Sequence, residues 1–175
     1  MAEQVVHVVL LALHNIALVG CAAAPFYNRQ LVLRRAPFGP KLYYELDRVV
    51  EDTLQGNMPY CLGFITVLWL TGLGMPLSYL FFHGELREVH VVAIVGLAFK
   101  LLFVVGMMVI MLVIFAQLNP RLRELLAGFS PGAAADAAKE AEFFANRAHR
   151  KKLCEVCLGF AVAVLLFSAL LGFQG

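Results

Sequence analysis

The chain has 175 residues, of which 61% are hydrophobic and only 15% are charged. A soluble domain carries about 25% charged residues, so this composition excludes an ordinary soluble protein and predicts a membrane protein. The formal net charge is +2, and no feature of the sequence suggests a nucleic-acid partner.

Four apolar runs are long enough to cross a bilayer, which takes about 20 helical residues. They are residues 5–24, 58–82, 89–115 and 153–173. Because these runs use most of the chain, we expect residues 1–175 to form a single all-α domain. The predicted fold is an integral membrane four-helix bundle with a cytoplasmic extension of the fourth helix.

The first run contains two histidines, His7 and His14. A helix advances about 1.5 Å and about 100° per residue, so a spacing of seven places both imidazoles on one face. The residues before this run, MAEQ, include no lysine or arginine, whereas a secretory signal begins with a basic region. We therefore expect this segment to be the first transmembrane helix rather than a cleaved signal.

The connection after the first span contains a second periodic segment, residues 40–55. Its apolar residues recur at helical spacing, with acids and bases on the opposite face. They are Leu42, Leu46, Val49, Val50 and Leu54. The pattern predicts an amphipathic helix at the cytoplasmic surface of the membrane.

The distribution of lysine and arginine predicts the orientation. Five of these residues lie in the connection after the first run and seven in the connection after the third run, but only Arg87 lies in the connection between the second and third. The positive-inside rule then places the first and third connections in the cytoplasm and both termini outside. The basic side would meet anionic lipid headgroups.

The third run places ionisable residues at two depths in the predicted bundle. His90 would lie near the outer interface, level with His7 and with His83 on the adjoining loop, and Lys100 would lie about 15 Å deeper, level with His14. An ionisable group at the bilayer centre costs at least about 2.5–3.5 kcal/mol and normally faces a partner inside the bundle.

These residues have both a structural and a functional interpretation. The outer histidines could lie among headgroups, His14 could be a neutral core residue bonded to a carbonyl, and Lys100 could snorkel or bond a backbone oxygen. Alternatively they hold a cofactor, because imidazole is a common axial ligand of haem iron and helix bundles build such sites from facing helices.

The last part of the chain predicts one continuous helix. Ser130 and Pro131 are typical of a helix start, and no helix-breaking residue interrupts the alanine-rich sequence before the fourth apolar run. We expect a helix over about 131–173, in which residues 131–152 form the cytoplasmic extension.

The chain has four cysteines, which are Cys21, Cys61, Cys154 and Cys157. A single CxxC pattern supplies only half of a tetrahedral metal site. A cluster of all four is geometrically conceivable because each is expected near the cytoplasmic side, but buried free cysteine also occurs simply as a small apolar residue. The reducing cytoplasm argues against structural disulfides.

Several segments resemble a known family. LALHNIALVG, FYNRQLVLRR, FKLLFVVGMM and RAHRKKLCEV resemble segments of the HemJ family of small bacterial membrane proteins, and NPRLREL is similar to segments of copper-resistance D-like proteins. The HemJ resemblance implies protoporphyrinogen IX oxidation in the bacterial inner membrane, with periplasmic termini and bound haem b. It implies that His14 is a haem ligand and that Lys100 and Arg29 are catalytic; His7 and His90 are the alternative ligand pair.

Two functions are therefore expected from the sequence. The first is a redox protein that binds haem b or porphyrin. The second is a non-catalytic accessory or assembly subunit of a larger membrane complex, or a homo-oligomer. Four glycines would let its helices approach a partner closely; they are Gly72, Gly74, Gly96 and Gly106. A transporter is a weaker third alternative, because the sequence shows no broken-helix repeat.

Overall fold

The computed structural model describes residues 1–85, 91–130 and 136–171. Within these ranges the regular structure is entirely helical, which confirms the all-α prediction. The helices are α1 (Ala2–Arg35), α2 (Tyr44–Gly56), α3 (Met58–His83), α4 (Val91–Val113), α5 (Asn119–Ala127) and α6 (Ala137–Leu171). A 3₁₀ turn, Ala36–Phe38, follows α1, and a π-helical turn, Ile114–Leu118, joins α4 to α5.

Three continuous helical segments of the described chain are long and apolar enough to cross a membrane. They are Ala2–Phe38, Tyr44–His83 and Val91–Ala127. The fourth expected span, 153–173, lies on α6 and continues past the last described residue. The predicted helix start at 131 lies outside the described residues, whereas the predicted continuity of the helix is present from Ala137 to Leu171.

The first helix is longer than the span predicted from hydropathy. It continues through Pro25 to Arg35. Arg29, Arg34 and Arg35, which were expected in the connection after the first span, are therefore helical. Arg34 and Arg35 lie in its last turn, where cations interact favourably with the partial negative charge of a helix C-terminus. The chain then turns at Gly39, whose φ of 75° favours glycine.

The long helices are arranged in the order α3, α1, α6, α4. Helix α1 packs along α3 and α6, and α6 packs along α4, while α3 and α4 make no comparable backbone contact in the described residues. The Trp69 indole N–H donates to Met108 Sδ at 3.1 Å between α3 and α4. The main apolar core comprises Leu18, Met107, Cys157, Ala161 and Val164.

Glycines at the helix contacts pack against neighbours within the chain. A Cβ built on Gly72 would lie 3.5 Å from the His14 ring, and one on Gly74 would lie 3.3 Å from Leu10. Gly96 is buried as well. Three of the glycines that the sequence suggested for contact with a partner thus lie at contacts or buried positions inside this protein.

Gly106 offers a test of this packing. Replacement by alanine places a Cβ 2.7 Å from Phe160 Cε2, so the ring or helix must shift, and overpacking of this kind costs about 1–3 kcal/mol. We expect Gly106→Ala to lower the thermal unfolding temperature in detergent. Gly63→Ala is the control, because no atom lies within 4 Å of its added Cβ; equal destabilisation by both changes would contradict the packing.

Helix α2 differs from its predicted amphipathic pattern. Asp47 and Glu51 are completely buried, whereas Val49 is 63% exposed. The expectation that the acids lie on the solvent side is therefore wrong for Asp47 and Glu51, whereas Glu45 and Asp52 are exposed as expected. The reason is tertiary: the arginines of α1 and α6 lie beside this face of α2 and pair with its carboxylates.

The beginning of α6 packs against other helices rather than projecting freely. A second apolar cluster joins α5 to this part of α6, and Phe143 at its centre is completely buried. The other buried members are Leu122, Leu125, Leu126 and Phe129. We call α2, α5 and residues 137–152 of α6 the polar-end layer.

Candidate functional site

His14 lies on the buried face of α1, opposite α3. Its side chain is 9% exposed, and its Nδ1 lies 2.9 Å from Oγ1 of Thr71, which is itself buried. The ring lies against Gly72, where the absence of a side chain leaves room for the imidazole. The helices α1 and α3 thus fix both the position and the plane of His14.

The hydrogen bonds of Thr71 determine which nitrogen of His14 carries the proton. The Thr71 hydroxyl has one hydrogen, which it donates to the Val67 carbonyl oxygen at 2.6 Å. The contact with His14 must then use Nδ1–H as the donor and Oγ1 as the acceptor. This tautomer leaves the Nε2 lone pair available, as in histidines that bind a metal through Nε2.

Lys100 reaches this region from α4. The residue is half-buried, and its ammonium acts electrostatically on the His14 imidazole. Three helices therefore supply His14, Thr71 and Lys100 to one polar region inside an otherwise apolar molecule, and we call these three residues the His14 cluster. The cluster contains a nitrogen lone pair and a cation, which can bind an electrophilic metal and an anion respectively.

The other predicted site residues within the described ranges do not join the His14 cluster. His7 is exposed on α1, and His83, which ends α3 rather than lying in a loop, stacks on Tyr79 and lies 3.7 Å from Glu3. His90 lies outside the described residues. Arg29 lies 15 residues after His14 on the same helix, about 22 Å away at the standard rise.

Arg29 contacts the last long helix instead. Its Nε lies 3.5 Å from Oε1 of Glu155 on α6, and both side chains are partly exposed. An exposed ion pair of this kind contributes at most about 1 kcal/mol. The contact gives Arg29 a structural role at the α1–α6 contact.

A buried ion network connects α1, α2 and α6 at the polar-end layer. Arg35 Nε donates to Oδ1 of Asp47 at 2.7 Å, and its Nη2 donates to Oδ2 at 2.9 Å. Arg147 of α6 also donates to Asp47 Oδ1. One carboxylate of α2 is thus shared by guanidinium groups from the helices on either side.

The second carboxylate of the network is Glu51. Arg150 binds it through Nη1 and Nη2, both at 2.7 Å, and also donates to Asn119 Oδ1 at 3.2 Å. Arg147 Nε lies 3.2 Å from Glu51 but does not complete a hydrogen bond, and Arg147 Nη2 has no partner among the described residues. Three arginines face two carboxylates, so the network has a formal excess of one positive charge.

Asp47 remains ionised in spite of its burial. Desolvation raises the pKa of a buried carboxyl, but the hydrogen bonds from Arg35, Arg147 and the Tyr43 backbone N–H outweigh it, so the pKa of Asp47 lies below its usual range. The Asp47 carboxylate is therefore charged at neutral pH, and its bonds to Arg35 and Arg147 link α2 to α1 and α6.

The sequence contained a signal for this network that the hydropathy pattern did not use. Asp47 and Glu51 are four residues apart on α2, and Arg147 and Arg150 are three residues apart on α6. Residues at these spacings lie on one face of a helix. An acidic pair on one helix and a basic pair on another indicate complementary faces, although only the tertiary structure shows that the two faces meet.

No three His, Cys, Asp or Glu side chains within the described ranges are placed to hold a metal ion together. A haem iron needs only one or two protein side chains as ligands, so this finding applies to metal ions bound by the protein alone and not to haem.

Comparison with known proteins adds no further constraint: no family model, curated protein or solved structure matches the chain.

Proposed function

We propose that this chain is a multi-pass protein of the bacterial inner membrane, with four spans in a bundle and periplasmic termini, that binds haem b or a porphyrin for redox chemistry such as protoporphyrinogen IX oxidation. The observation that supports the proposal best is the contact of His14 Nδ1 with Thr71, whose hydroxyl donates to Val67, because this arrangement would leave His14 Nε2 available to a ligand. The expected topology rests on the twelve basic residues in the first and third connections and on the apolar helices.

The residues of the His14 cluster would have separate roles. His14 Nε2 would hold the haem iron, and Thr71 would fix the ring orientation, as partners of metal-bound histidines commonly do. The Lys100 ammonium would pair with a propionate carboxylate, which offsets part of the cost of a buried charge. Bound haem would supply the one-electron chemistry.

Arg29 is not included in this site. Its separation from His14 along α1 is about 22 Å, and its partner is Glu155. The alternative function, a non-catalytic subunit, receives less support because Gly72 and Gly74 pack against side chains of this chain.

The proposal is tested by the absorption spectrum of the detergent-purified protein. We expect a Soret band in the wild type, its loss in His14→Ala, and its recovery when imidazole fills the space left by the side chain. His7→Ala is the matched control, because His7 is exposed on the same helix, and it should keep the band.

We expect Lys100→Met to insert normally but to bind porphyrin at least tenfold more weakly, a loss of about 1.4 kcal/mol in binding free energy.

A colourless wild-type protein that takes up no added haem would contradict the proposal. So would a Soret band unaffected by His14→Ala, since an axial ligand determines iron ligation directly. Loss of the band in His7→Ala but not in His14→Ala would move the ligand assignment to His7 and its expected partner His90.

A further inference from the structure

All four cysteines line one internal cavity of about 50 Å³, which lies between α1, α3, α4 and α6. They are Cys21, Cys61, Cys154 and Cys157, and all are buried free thiols. Three methionines line the same cavity. They are Met58, Met107 and Met111. Seven sulfur-containing side chains from four helices therefore line one small space.

The sulfur lining favours a soft cation as ligand. Thiolate and thioether sulfur select soft metal ions over the hard cations that prefer oxygen. A structural zinc site would need four ligands in a tetrahedron, and no three metal-binding His, Cys, Asp or Glu side chains converge in the described part of the chain. A soft monovalent cation accepts two thiolates, with a thioether as an additional weak ligand.

A larger cleft adjoins this cavity. It has a volume of about 430 Å³, and its wall includes Gln55, Arg123 and Glu124. Met58, Phe115 and Asn119 line both the cleft and the inner cavity. Phe115 belongs to the π-helical turn, a type of distortion that is frequent at functional sites. Met58 therefore lies where the cleft of the polar-end layer meets the inner cavity.

The ion network provides charge complementarity. Arg150 belongs both to the network and to the cavity wall, and it lies one helical turn before Cys154. Its guanidinium opposes the desolvation that disfavours a thiolate at Cys154, although desolvation is the larger of the two effects. Two thiolates and one monovalent cation carry a net charge of −1, opposite in sign to the excess charge of the network to which Arg150 belongs.

We propose that the cysteine-lined cavity is a binding site for a single soft monovalent cation, with Cys154 as one of two thiolate ligands and Met58 at the entrance. The site uses none of the residues of the His14 cluster. Binding converts two thiols and one cation into an anionic bis-thiolate complex and releases two protons. Both S–H bonds break, two metal–sulfur bonds form, and no electrons are transferred.

Silver(I) is the probe, because it is soft, monovalent and redox-stable. Titration of the reduced, detergent-purified full chain in weak buffer should show one tightly bound Ag(I) per chain, with release of about two protons. The bound ion should protect the thiols from alkylation. We expect Cys154→Ser to weaken binding at least a hundredfold and Met58→Leu to slow entry or weaken binding several-fold.

Met75→Leu is the matched control, since Met75 does not line the cavity and should bind Ag(I) as the wild type does. Circular dichroism identifies any variant that fails to fold, and thiol protection in the wild type tests the site without a substitution. The proposal is overturned if folded wild type binds no Ag(I) in competition with a weak chelator, if no protons are released, or if Cys154→Ser binds with unchanged affinity.

Discussion

Asp47→Asn is expected to destabilise the protein by about 3–5 kcal/mol, because it removes one partner from a buried ion network and leaves arginines without compensation. Asp47 is completely buried and accepts hydrogen bonds from Arg35 and Arg147, which are themselves only 4% exposed. An asparagine has a similar shape but no charge, so the loss is electrostatic rather than steric. The free energy of unfolding, measured by denaturant titration in mild detergent, tests this expectation.

Asp52→Asn is the matched control. Asp52 lies on the same helix, but its side chain is 71% exposed and its oxygen is 3.8 Å from Arg48. Exposed pairs at this spacing contribute about 0.3–0.5 kcal/mol. If both substitutions destabilised the protein equally, the network would not be responsible for the stability of the polar-end layer.

The effect of Asp47→Asn should also depend on pH. The pKa of Asp47 in the folded protein lies below its usual range, so its contribution is complete above the unfolded pKa of about 3.9 and is lost as the pH falls through the folded value. We expect the wild type and the variant to differ by a constant amount at neutral pH and to converge below about pH 4. A constant difference throughout acid would contradict this role for the carboxylate.

Phe143→Ala should cost about 3–5 kcal/mol, the range for truncation of a completely buried aromatic residue. Phe143 contacts Phe129 and the guanidinium of Arg147, whose carbon lies 5.4 Å from the ring centre. The substitution leaves a cavity between α5 and α6 and removes support from the ion network. Denaturant unfolding in mild detergent measures the loss.

Phe38→Ala serves as the comparison for Phe143→Ala. Phe38 lies in the turn after α1, is 53% exposed and contacts Tyr43 edge to face. Its truncation should cost no more than about 1.5 kcal/mol, the upper value for an aromatic pair. A smaller loss for Phe143 than for Phe38 would show that the second apolar cluster does not stabilise the fold.

The sequence determined the helical class and the positions of the apolar helices. Membrane-spanning hydropathy and helical spacing are local properties, so the long helices and the continuity of α6 from Ala137 to Leu171 could be predicted. That His14 and Lys100 lie at the same depth in the membrane stays a prediction, which follows from residue position along a helix of known rise.

Only the tertiary structure decided which faces meet. Hydropathy assigned the charged residues of α2 to water, whereas Asp47 and Glu51 are buried because Arg35, Arg147 and Arg150 come from distant parts of the chain. The same holds for the cysteines on three helices: the sequence places all four near one side of the membrane, but only the tertiary structure shows that they line one cavity. Local patterns determine how a helix forms, but the partners of a buried charge or thiol depend on contacts between segments far apart in sequence.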